Sequence, residues 1–355
     1  RLRPARESTV LRSATIVLPG LLLAAAVAAA ARLSHAGLPD RFAVSVSEIV
    51  LAVLFGLVVR RLLPWRAALD PGVRFAFHTV LRVAIVVLGV RFSLAEVGSI
   101  GGQALALVVL TMAVALVVAH RLGRVMGIDG RLCTLIGVGT AVCGNSAISA
   151  TAPVIGARDE DLTYAVAVNT LFGTIAVFVY PLLGAALAMG ASAYGTWVGA
   201  AVNDTSQVVA TGFAHGDRAG EVATAVKLTR NALMGFVIAL VAWIHAGAGA
   251  ARAMAWPARL KASVPGFVLG FLFVSLLNTL GVIEAAGDAV GRDLARDGSE
   301  IAKTLVLLAL AGVGLGTRLR SLQAIGPRPL VLGLITASVT SLLALGWIAS
   351  VGGAG

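Results

Sequence analysis

A passage of fourteen residues is written twice in this chain, sixty residues apart. Val138 to Thr151 reads VGTAVCGNSAISAT and Val198 to Thr211 reads VGAAVNDTSQVVAT, with seven positions identical. Each copy has apolar flanks and a small, polar centre. That composition suits membrane segments that break in mid-bilayer, and paired interruptions of this kind are the best sequence pointer to a transporter binding site.

The surrounding chain is membrane-like. Apolar residues make up 58% and charged residues 13%, with a mean hydropathy of +0.94, far from the soluble average. Apolar stretches able to span lie at 13–32, 43–59, 76–93, 99–119, 131–155, 161–188, 194–214, 219–247, 262–283, 300–317 and 329–350, since about 20 residues cross the hydrocarbon core. We expect an all-α polytopic membrane protein of about 9–11 transmembrane segments with inverted repeats and two interrupted or re-entrant segments. It reads as one membrane-embedded domain over 1–355, with core segments at 76–247 and 300–350.

The net charge of +11 does not signal nucleic acid, because the basic residues are scattered along short loops. They collect at Arg1/Arg3/Arg6, Arg60/Arg61/Arg66/Arg74, Arg121/Arg124/Arg131, Arg252/Arg259/Lys261 and Arg318/Arg320/Arg328, whereas Glu284, Asp288, Asp293 and Asp297 mark an acidic stretch. The positive-inside rule then puts the N-terminus in the cytoplasm. The first apolar run is longer than a signal-peptide core and more spans follow, so it reads as a retained helix. Cys133 and Cys143 share one apolar segment and suggest neither a disulfide framework nor a metal site.

A second match relates 88–111 to 313–336 at a shift of 225, with Gly89/Gly314, Leu94/Leu319, Gly101/Gly326 and Thr111/Thr336 among the identities. An odd number of crossings separates these copies, which makes them inverted. The sixty-residue copies are parallel if both cross fully, and inverted if each dips in and returns. Glycines at 137, 139, 144, 195, 199 and 212 permit such breaks. We favour opposed re-entrant or broken segments.

Broken helices free backbone groups for a ligand. Thr140, Cys143, Gly144, Asn145, Ser146 and Ser149 in the first copy, with Asn203, Thr205, Ser206 and Gln207 in the second, offer compact polar contacts. Asp204 is the sole acid in either copy, and an intramembrane acid is a functional hypothesis by default. We expect it to be the ion-coupling residue. Lys227 and Arg230 share a face of the next helix, where an arginine fork and a lysine charge suit an anion. A structural Asp204–Arg230 or Asp204–Lys227 pair is the competing reading. Asn169 and Thr170 cap or line the first break, Asn278 reads as interhelix glue, and His78, Arg82 and Lys303 are either cavity-lining or snorkelling. No nucleotide loop, zinc-protease motif or nucleophile with base is evident, so an enzyme is not expected.

These motifs, with Lys227-Leu228-Thr229-Arg230, resemble the YeiH-like sulfate exporter family of bacterial inner-membrane proteins over nearly the whole chain. The resemblance implies kinship with bile-acid symporters, cation/proton antiporters and citrate carriers, which place interrupted helices in a mobile core. The family pattern often has His where this chain has Asn203, so no proton relay is expected there.

The expected function is secondary export of a small anion of the sulfate, sulfite or organic sulfonate class, coupled to H+ or Na+. The alternatives are a Na+-coupled importer of an organic anion and an anion channel. Beyond a coupling ion no cofactor is expected. The expected partners are a small anionic substrate and the lipid bilayer, without nucleic acid, and a homo-oligomer is compatible with the sequence.

Overall fold

Every predicted apolar segment overlaps a helix or a pair of helices. The computed structural model describes residues 7–37, 47–250, 265–317 and 326–352, and these contain no strand. The basic clusters at Arg1/Arg3/Arg6, Arg252/Arg259/Lys261 and Arg318/Arg320 lie outside the described residues, as does part of the second copy of the 225-residue match.

In chain order the helices are α1 (Glu7–Ala36), α2 (Glu48–Leu62), α3 (Ala67–Arg91), α4 (Leu94–Val125), α5 (Gly130–Ala141), α6 (Asn145–Thr151), α7 (Asp159–Ala186), α8 (Ala191–Ala201), α9 (Thr205–Ala214), α10 (Asp217–Ala232), α11 (Met234–Ala250), α12 (Gly266–Thr279), α13 (Val282–Val290), α14 (Leu294–Gly316) and α15 (Pro327–Gly352). Seven of these helices or helix runs are long and apolar enough to cross a membrane, and α12 with α13, bent by 68°, would make an eighth. Helices are the expected solution in lipid, where each backbone N–H and C=O must find its partner within the segment. The protein is an all-α, multi-pass membrane protein.

Two compact units result. One comprises Arg1–Phe92 and Phe273–Arg318, the other Ser93–Leu272 and Leu319–Gly355. In the first, helices approach to backbone contact. A Cβ at Gly56 would lie 2.9 Å from the Gly314 Cα, and one at Gly20 would lie 2.9 Å from the Gly72 Cα. Small residues allow such approach where no hydrophobic force draws helices together. Lys303 pairs with Glu300 one turn away at 3.1 Å. Asn278 donates to the Phe92 carbonyl at 3.3 Å, the interhelix role expected of it.

The second unit contains both copies of the fourteen-residue passage, and each forms a helical hairpin. In the first, α5 is capped by Asp129, which accepts from the Arg131 N–H. The chain reverses at Val142-Cys143-Gly144, where Gly144 takes φ +67° and ψ −126°, a conformation open essentially to glycine. Ile148 then packs back on Gly139. Nine residues would separate them by about 13 Å along an unbroken helix, so the contact requires α6 to run back along α5.

The second hairpin turns at Val202-Asn203-Asp204. The Tyr194 hydroxyl donates to the Thr211 carbonyl at 3.1 Å, and the Tyr194 ring stacks on His215 at 4.0 Å. His215 in turn lies 3.1 Å from the Met189 carbonyl. Residues 189 and 194 therefore stand beside 215 and 211, as only an antiparallel return allows.

The hairpins are opposed. The first has its base at the start of α7 and its tip beside Asn169, which donates to Asn145 at 2.9 Å. The second has its base at the far end of α7, where Gly184 packs on Tyr194, and its tip also reaches mid-helix, where Gln207 donates to the Thr170 carbonyl at 3.3 Å. The favoured layout, two re-entrant segments entering from opposite ends, is the one observed.

Candidate functional site

The two tips meet at the middle of α7 and the C-terminal end of α10. A Cβ at Gly144 would come within 3.0 Å of both the Cα and Oδ2 of Asp204, which leaves room only for glycine. Asp204 is the N-cap of α9, its Oδ1 accepting from the Ser206 N–H at 2.9 Å and the Ser206 hydroxyl at 2.6 Å. A carboxylate there also complements the positive end of the helix dipole.

Lys227 and Arg230 come up against both tips from α10, fully buried at 0% and 1% exposure. Neither is ion-paired with Asp204, so the competing structural pair does not form. Their charges go to backbone carbonyls instead. Lys227 Nζ donates to Val142 O at 2.7 Å, to Val202 O at 2.9 Å, and to Asn203 O. Arg230 donates from Nε to Ala141 O at 3.2 Å, from one terminal nitrogen to Ala200 O at 2.8 Å and to Gly199 O and Val202 O at 3.3 Å, and from the other to Thr140 O. These carbonyls end α5 and α8, where the helix dipoles are negative and intrahelical partners run out.

The acceptors are repeat-related. Val142 and Val202, and Thr140 and Ala200, occupy equal positions in the two copies, so one lysine and one arginine serve both tips. At the equivalent places in the first repeat stand Ala167 and Thr170, and the arrangement is symmetric in its acceptors but not in its donors.

The remaining predicted residues divide into buried and accessible sets. Thr140 bonds its own helix at Ile136 O, and Cys143 is a buried free thiol with Sγ 3.3 Å from the Met234 sulfur. Asn203 is buried, and Gln207 packs on Gly173 and donates to Thr174 at 3.4 Å. Asn145, Asp204 and Thr205 are half-buried and Ser146 and Ser149 exposed, so the accessible polar face lies at the starts of α6 and α9.

Asn231, which the sequence reading passed over, donates to Thr205 at 3.2 Å; its counterpart is the bond from Asn145 to Thr170, also 3.2 Å. Each returning helix is thus tied to its neighbouring long helix at a separation of 25 or 26 residues. The repeat reaches further still. Arg158 bonds Asp161 at 3.0 Å at the start of α7, and Arg218 lies 3.6 Å from Glu221 at the start of α10, sixty residues on. Arg218 also bonds Glu96 at 2.6 Å. The hydrogen bond to Asp161 raises the affinity of the Arg158 guanidinium for its proton. Both pairs lie in the first turn of the helix that follows a hairpin, and the Arg218–Glu96 pair ties α10 to the start of α4.

Opposed re-entrant hairpins with ionised groups at their meeting point define a class: multi-pass helical membrane proteins with a polar site inside the bundle. The chain belongs to the family described as conserved hypothetical protein 698, which it matches over residues 19–333, the YeiH-like family its motifs resemble. It is 32% identical to a UPF0324 membrane protein of Agrobacterium fabrum, over 95% of this chain and 94% of that relative. It is 34% identical to one of Rhizobium meliloti over 92% and 90%, and 31% identical to one of Nitratidesulfovibrio vulgaris over 96% and 94%. No solved structure matches the chain.

Proposed function

We propose that this protein is a secondary transporter of a small anion, with its site on the polar face at the starts of α6 and α9. The supporting observation is an imbalance of charge. Lys227 and Arg230 bring two buried positive charges against one half-buried carboxylate, Asp204. With about half a charge at each helix end, the two negative C-termini of α5 and α8 offset the two positive N-termini of α6 and α9. A surplus of about one positive charge remains at the centre, and it attracts an anion. Asn145, Ser146 and Thr205 supply hydrogen bonds around that position, while Thr140, Cys143, Gly144, Asn203, Ser206, Gln207, Lys227 and Arg230 shape it from behind.

Within this reading Asp204 is the ion-coupling residue, for H+ or Na+. The substrate class is a sulfur oxyanion such as sulfate, sulfite or an organic sulfonate, moved outward across a bacterial inner membrane with the N-terminus in the cytoplasm. The chain acts as a carrier and not as an enzyme.

Counterflow in liposomes tests this. Vesicles loaded with unlabelled sulfate or methanesulfonate should accumulate the labelled anion transiently. Uptake without trans-stimulation would make the protein a channel, and no uptake of any of these anions would contradict the substrate class.

A further inference from the structure

The half-buried acid sits at the place where the proposed anion would bind. Asp204 caps α9 through Oδ1, and its Oδ2 lies against Gly144 at the start of α6. Of the groups around the proposed anion, the Ser206 N–H and hydroxyl are answered by this carboxylate of the protein's own. The other ionisable groups facing Asp204 are the Lys227 ammonium from α10 and the Cys143 thiol from the first tip. From α7 the neighbouring groups are neutral, Asn169 and Thr170.

We propose that the anion and one proton bind together: an anion enters only as the Asp204 carboxylate takes up a proton, so the two are carried in the same direction. The inference rests on the anion-transport reading above and gives it a sign: outward movement is driven by the anion's own gradient, and the proton travels with it. Ionised Asp204 and the substrate are like charges competing for the same positive centre, and they repel more strongly in a half-buried site than in bulk water. Protonation removes one negative charge as the anion adds one, leaving the total charge at the tips unchanged for a monoanion. The carboxyl hydrogen then becomes a donor to the anion, while the carbonyl oxygen still caps Ser206. By linkage, bound anion raises the proton affinity of Asp204, and rising pH weakens anion binding.

Titration calorimetry on the purified full chain tests this with methanesulfonate and sulfate, neither of which takes up a proton itself between about pH 5 and about pH 8, well above an ordinary carboxyl range. Repeating each titration in buffers of different ionisation heat counts the protons absorbed. Where Asp204 begins ionised, wild-type protein should take up about one proton per anion, and affinity should fall about tenfold per pH unit. Asp204→Asn, which mimics the protonated acid, should bind without proton uptake and with pH-independent affinity. Binding by wild-type protein with no proton uptake at any pH would overturn the inference while leaving the transport reading intact. Persistent uptake in Asp204→Asn would place the proton elsewhere and overturn it too. Absence of binding by either anion would overturn the anion-site reading beneath it. A wild-type count of zero overturns the inference even if the variant fails to fold.

Discussion

Val142 and Val202 stand sixty residues apart in sequence and present their carbonyls to the same ammonium, that of Lys227, at 2.7 and 2.9 Å. Two hairpins that enter from opposite ends are therefore held at their tips by one side chain. Lys227→Met should leave the Val142 and Asn203 carbonyls without a donor, at about 1–3 kcal/mol each, while Val202 O keeps its bond from Arg230. A lower thermal unfolding temperature in detergent, with faster amide exchange at both tips together, is the expected outcome. Loosening of one tip alone would show that the bridge does not couple them.

Arg230 spreads its donors over the ends of α5 and α8, a geometry that needs the planar fork. Arg230→Lys should recover little of the stability or anion binding lost in Arg230→Ala, because a point charge cannot reach all these carbonyls. Thermal shift and binding titration on the same preparations check it.

Gly144→Ala should destabilise the first tip by about 1–3 kcal/mol, since the positive φ is strained for any side chain and the new methyl would meet Asp204. Gly156 also has a positive φ, but a Cβ there meets nothing within 4 Å. Gly156→Ala therefore incurs the backbone strain alone and should perturb anion binding less. Equal loss of binding in both variants would show that contact with Asp204 is unimportant.

The opposed hairpins make a topological forecast. With basic loops in the cytoplasm, a cysteine at the exposed Glu160 should label from the cytoplasmic side and one at the exposed Asp217 from the other side. Labelling of both from one side would contradict the layout.

Much of this was legible in the repeated passage, which located both breaks and named most of the tip residues. The direction of return was not, because it depends on the φ of Gly144 and on contacts such as Tyr194 with Thr211, which no spacing encodes. Nor could the sequence show that Lys227 and Arg230 address carbonyls, since backbone acceptors have no letter. The Arg158–Asp161 and Arg218–Glu221 pairs were readable by continuing the same shift, but Asp159 and Glu160 stand where Ala219 and Gly220 do and hide the register.

Hydrogen–deuterium exchange with and without methanesulfonate tests the central claim most directly, that the two tips together form the anion site. Amides at 143–147 and 203–207 should gain protection in parallel on adding the anion, while those of α1 and α2 should not change. Binding of the anion with protection confined to other segments, or to one tip only, would contradict it.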